Sequence, residues 1–174
     1  LDKGYMKIVG MLLWAARGVY PECQTGLHQL SKVLFRPSLV SWKAAIHMVK
    51  WMYLHRERGI TFTSSGNNNP TLFSNQGPIN NPDQGPIAFS DASNKPDPND
   101  GLCQFGYCLM MSGGPIATTS KKLAHVGLSA FHNEYMALKH AASTVMWIRQ
   151  LLTEIGCAHM VDAPTVIYGD NTAA

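Results

Sequence analysis

Charge is scarce in this chain: Asp, Glu, Lys and Arg make up only 14% of its 174 residues, against 45% hydrophobic. That balance excludes a disordered, highly charged tail and allows a packed core. The net charge of +3, from 14 basic and 11 acidic side chains, permits a polyanionic partner without marking one. Cys23, Cys103, Cys108 and Cys157 form no CxxC pair, and the seven histidines form no HExxH. Free intracellular thiols are therefore expected rather than a zinc site. No apolar run approaches the roughly 20 residues that span a bilayer, so no membrane partner is expected. The chain opens with neither an initiator Met nor a signal-peptide pattern, and Leu1 reads as a cut inside a longer reading frame.

Residues 1–62 read as a helical unit. Tyr5, Ile8, Val9, Leu12 and Ala16 recur at helical spacing, as do Leu27, Leu30 and Leu34, with Pro21 and Pro37 as punctuation. Ser38 suits the N-cap of a third helix with the apolar face Trp42, Ala45, Ile46, Val49, Met52 and Tyr53, ending at Gly59. Residues 63–86, rich in Asn, Gly and Pro, read as a linker, with room for one short strand around Leu72 and Phe73.

From residue 87 to residue 174 the period changes. Ile87 to Ala92 reads as a strand; Phe105, Tyr107, Leu109 and Met111 alternate in a second. Ser112-Gly113-Gly114 signals a turn into a third, Ile116 to Ser120. Ser129 to Ile155 is the longest helical stretch, stopped by Gly156. Thr165 to Tyr168 reads as a fourth strand, and Asn171 to Ala174 as the opening of another helix. The order describes a mixed α/β domain.

Three acids continue apolar stripes. Asp91 follows Ile87 and Phe89 on one strand face, and Asp170 follows Val166 and Tyr168 on another. Glu134 lies one turn before the helical row Leu138, Ala141, Val145, Ile148, Leu152 and Ile155. Carboxylates brought together in this way repel one another unless a cation neutralises them, and an all-oxygen set suits Mg²⁺ or Mn²⁺. The alternative is that each acid ends its element in water, with Asp91 in an Asx-turn and Asp170 capping the next helix. Pattern alone leaves both open.

Several segments stand in an informative order: Phe89-Ser90-Asp91-Ala92-Ser93, Phe105-Gly106-Tyr107, Ser112-Gly113-Gly114-Pro115-Ile116, Ser120-Lys121-Lys122, Asn133-Glu134-Tyr135-Met136-Ala137-Leu138 and Tyr168-Gly169-Asp170-Asn171. In order and spacing they resemble the RNase H region of copia-type retrotransposon Pol polyproteins. Tyr5 to Leu13, Leu30-Ser31-Lys32 and Trp42-Lys43-Ala44-Ala45 resemble the end of that family's reverse-transcriptase region. The resemblance implies an RNase H-like mixed sheet with a long helix, truncated after the fourth strand and preceded by a small helical unit. It implies cleavage of the RNA strand of RNA–DNA hybrids during reverse transcription, with two Mg²⁺ (or Mn²⁺) ions held by Asp91, Glu134 and Asp170. Ser93, Lys121 and Lys122 are candidate contacts to the nucleic acid, each with a turn or solvated-surface alternative. The partners implied are the hybrid and the upstream reverse-transcriptase region, in a cytoplasmic retroelement particle.

This chain departs from the family in three places. His132 replaces an acid two residues before Glu134, the Asn94-Lys95-Pro96-Asp97-Pro98-Asn99-Asp100 loop differs, and no later acid follows Asp170. Two functions therefore stand side by side: a metal-dependent ribonuclease H, and a catalytically inactive remnant that at most binds nucleic acid.

Overall fold

The computed structural model describes residues 2–62, 85–98 and 100–170. The chain forms two compact units, Leu1–Ile60 and Thr61–Ala174. The strand expected around Leu72 and Phe73 and the helix expected over 171–174 lie outside the described residues.

In the first unit, helix α1 (Asp2–Gly18) leads through a 3₁₀ turn at Pro21–Cys23 into α2 (Gln24–Ser31), and α3 (Leu39–Leu54) follows. Pro21 opens its turn at a position where a missing N–H costs nothing. The helical spacing read from the sequence is the core itself: Tyr5, Val9, Leu12 and Ala16 of α1 are buried with Leu27, Leu30, Ala45 and Met52. Each fully buried leucine of this kind contributes about 1.5–3 kcal/mol. Ser38 caps α3 as expected, its side chain accepting from the Ser41 N–H at 3.1 Å. Two expectations fail on α3. It ends at Leu54, well before Gly59, and Ile46, Val49 and Tyr53 are exposed. Ala45 and Met52 are buried in the core, with Trp42, Met48 and Trp51 packed partly against it, while the far side of the helix is left open.

The second unit carries a four-stranded sheet in the order β3-β2-β1-β4, made of β1 (Ile87–Ala92), β2 (Gln104–Met111), β3 (Gly114–Lys122) and β4 (Ile167–Tyr168). The first three strands form an antiparallel meander, while β4 pairs parallel to β1. Ser112 and Gly113, both at positive φ, make the tight turn between β2 and β3, a conformation that matches the twist of the two strands. Helix α4 (Ala130–Glu154) is capped by Ser129 and ended by Gly156 at φ +86°.

Helix α4 packs on the sheet face that carries Ala88, Leu109, Ala92 and Phe105. Alanines on both sides (Ala88 and Ala92, Ala137 and Ala141) let the helix come close, and Leu109, Val145, Ile148 and Leu152 fill the space. The buried helix row runs through Asn133, Ala137, Ala141, Val145, Ile148 and Leu152. Leu138 is half-buried and Ile155 is 62% exposed, so Glu134 borders the core row instead of extending it. On β1 likewise, Ala88, Ser90 and Ala92 form the buried face, whereas Ile87 and Phe89 are half-buried and Asp91 is exposed. Alternation was read correctly from the sequence; which face meets the helix was not.

After α4, the Arg149 guanidinium donates to Val161 O at 2.6 Å, Ala163 O at 2.8 Å and Thr165 Oγ1 at 3.0 Å. These bonds pin the segment that leads into β4. Of the expected strand Thr165 to Tyr168, only Ile167–Tyr168 forms regular pairing, although Ala88 N–H also bonds Val166 O. None of the described helices is long and apolar enough to cross a membrane.

Candidate metal centre

The parallel pairing of β1 with β4 decides the geometry. Ala88 stands opposite Ile167 and Phe89 opposite Tyr168, whose rings stack with centroids 5.3 Å apart. Two residues further along each strand lie Asp91 and Asp170, so both carboxylates emerge at one end of the sheet. Glu134, early in α4, reaches the same point from above β1. One carboxylate oxygen from each of Asp91, Glu134 and Asp170 lies within 4.8 Å of the others.

Their surroundings differ. Asp91 and Asp170 are exposed and Glu134 is half-buried. Glu134 Oε1 accepts the Ala92 backbone N–H at 3.3 Å, which holds the side chain against the end of β1. Burial pushes the Glu134 carboxyl above its ordinary range; the Ala92 N–H opposes that shift, and the charges of Asp91 and Asp170 add to it. A group strained in this way by its neighbours is relieved by a cation. The donor set suits a hard ion. Two Mg–O bonds of about 2.1 Å span at most about 4.2 Å, so modest side-chain rotation closes three carboxylates around one.

The remaining site candidates separate. Ser93 Oγ accepts the Lys95 N–H at 3.2 Å, shaping the turn after β1. Lys122 Nζ is held by Asp97 at 2.9 Å and by Asp100, which clamps the β1–β2 loop to the end of β3. Lys121, on the neighbouring register position, has no carboxylate partner among the described residues. His132 contributes its backbone N–H to the Ser129 cap and is not among the clustered ligands. All four cysteines are free.

Three supports of the site escaped the sequence reading. The Ala92 N–H and the Arg149 clamp are long-range and leave no local signal. Asn133 is buried with its Nδ2 on Cys103 Sγ at 3.2 Å, and its signal was present: an amide in the core row of an amphipathic helix.

The retrovirus-related Pol polyprotein from transposon RE2 of Arabidopsis thaliana is 30% identical to this chain over 170 residues, 98% of the chain. That from transposon RE1 of the same plant is 29% identical over the same extent. A third such relative, the Pol polyprotein from transposon TNT 1-94 of Nicotiana tabacum, is 27% identical over 172 residues. The resemblance noted in the sequence therefore holds along nearly the whole chain, which spans about 10% of the length of the two Arabidopsis polyproteins. The likeness is thus to one region of those polyproteins. Secreted RxLR effector protein 161 of Plasmopara viticola is 24% identical over 144 residues, covering 83% of this chain and 90% of that protein. No family model matches the chain, and no solved structure does.

Proposed function

We propose that the sheet unit is an RNase H-like domain that hydrolyses the RNA strand of RNA–DNA hybrids, as one step of reverse transcription by a Pol polyprotein. The observation that carries this reading is the convergence of Asp91, Glu134 and Asp170 from three separate elements onto one point. Those three side chains would hold Mg²⁺ or Mn²⁺, two ions being expected. When bound, the metal supplies charge neutralisation at the phosphodiester and a more acidic water. The protein contributes placement: β1 and β4 present Asp91 and Asp170 side by side, and the Ala92 N–H aims Glu134 at both. Exposure of the two aspartates leaves the centre open to a strand lying across the sheet end. Recognition of the hybrid would rest on backbone shape and 2′-hydroxyls. Lys121 is the better phosphate contact of the lysine pair, because Lys122 is already ion-paired. The helical unit would be the end of the reverse-transcriptase region, its partner the rest of that region.

The test is cleavage of an end-labelled RNA–DNA hybrid with Mg²⁺ or Mn²⁺, beside Asp91→Asn. Metal-dependent cutting of the RNA strand alone, abolished by the substitution, is the expected result. An intact hybrid after incubation with a folded chain would sink the proposal. A second reading is binding without cleavage, because His132 stands two residues before Glu134 where the resembled family has an acid. Retained hybrid binding with no cutting, unchanged by Asp91→Asn, would select it.

A further inference from the structure

Beside the core row of α4 runs a second row: His140, Thr144 and Trp147, at helical spacing. It faces the outer part of the sheet. Because α4 lies mainly over β1 and β2, Ala117 of the edge strand β3 still packs on the core, but Thr119 and Lys121 stand beyond it. The result is a groove of about 290 Å³, close to the lower limit for small-molecule sites of about 300 Å³ and suited to a unit of nucleotide size.

The chemistry of its walls is uneven. Phe105 and Tyr107 of β2 form the floor, and Thr144 Oγ1 donates to Tyr107 Oη at 2.9 Å, fastening the helix to it. Thr119 and Lys121 of β3 stand on one side, register partners of Tyr107 and Phe105. On the other side His140 stacks on Phe105 at 4.5 Å, and Trp147 is 59% exposed. No carboxylate lines the groove, in contrast to the acidic cluster at the end of the sheet. An ammonium, an imidazole and a hydroxyl around an aromatic floor suit an anionic oxygen group joined to a planar ring. An exposed indole beside them offers a stacking surface that tolerates any base.

We propose that this groove binds a single-stranded nucleic-acid segment, its phosphate against Lys121 and His140 and a base on Trp147. The groove begins about 9 Å along α4 from Glu134, at 1.5 Å per residue. The inference rests on the nucleic-acid reading for its class of ligand, and its binding step is independent of metal and of cleavage.

The test is fluorescence anisotropy of a labelled 12-nucleotide oligothymidylate with the full chain in EDTA, repeated over a range of salt. Trp147→Ala is expected to weaken binding about tenfold, with Trp147→Phe recovering most of it. Lys121→Ala should reduce the slope of log K against log salt by about 0.7, the value for one phosphate contact on a single strand. Trp14→Ala, another exposed tryptophan, is the control. If Trp147→Ala and Lys121→Ala, both folded by circular dichroism, bind with the wild-type constant and slope, the inference is overturned. Hybrid cleavage that persists alongside that result leaves the nuclease reading standing; oligonucleotide binding without cleavage does the reverse.

Discussion

In the helical unit, two tyrosine hydroxyls that enter the core find partners in the backbone: Tyr5 Oη donates to Leu30 O at 3.0 Å, and Tyr20 Oη lies 3.3–3.4 Å from Met52 O and His55 O. In the sheet unit, three carboxylates share one point, where Glu134 accepts a hydrogen bond from the Ala92 N–H. The first arrangement lowers the energy of the fold. The second raises it, and sets up a place where a cation would be bound. On the function proposed, the difference separates a structural polar group from a functional one by whether its partners are already in the chain.

The largest effect tests the structural half. Leu27→Ala removes a fully buried side chain of the helical core and is expected to cost about 2–5 kcal/mol by urea unfolding. Its Mg²⁺ titration should match the wild type, because all three acids belong to the other unit. A parallel loss of metal binding would break the comparison.

Next in size is Gly127→Ala. A Cβ there would overlap the side chain of Asn133, which is buried and has no room to turn away. A loss of about 1–3 kcal/mol is expected. Gly26→Ala is its counterpart in the helical unit. The added Cβ meets only the end of the flexible Met48 side chain, at 2.9 Å, so a gain of up to about 1 kcal/mol from helix propensity is expected. Equal melting shifts for the two variants would contradict this account.

Glu134→Gln sharpens the functional half, and its sign is unusual. A carboxyl whose folded pKa is raised binds protons more tightly in the native state. Stability from this group is therefore greatest at low pH and declines as pH rises from about 4.3 through the raised value. Removing the charge should stabilise the metal-free protein at pH 7 while weakening Mg²⁺ or Mn²⁺ binding at least tenfold. In the wild type, metal affinity should fall as pH drops through the same range, since a protonated Glu134 cannot ligate; isothermal titration at several pH values measures it. Asp100 has the opposite sign: its hydrogen bond to Lys122 holds its carboxyl below the ordinary range, so its support of the loop is lost only in acid.

Much of the fold was legible because its signals are local. The helical row from Tyr5 to Ala16, the Ser38 cap, the Ser112-Gly113 turn and the Gly156 stop each depend on residues within a turn or two. The faces of α3 and β1 were misread because burial depends on what lies opposite. Ile46 and Val49 have the right spacing and the wrong neighbours. The three acids were identifiable as a set, though partly for a reason the structure corrects: Asp91 stands on the half-buried face of β1, and Glu134 beside the core row.

By itself the sequence determined which elements form and in what order, how their side chains alternate, and which carboxylates stand near their ends. These follow from backbone sterics and hydrogen bonding over a few residues. Only the tertiary structure decided that Asp91 and Asp170 would lie side by side and Glu134 above them. That meeting depends on the parallel register of β1 with β4, on the Arg149 clamp that leads into β4, and on the alanines that seat α4 close to the sheet. All three are contacts between residues far apart along the chain, and no periodicity in a window of neighbours encodes them.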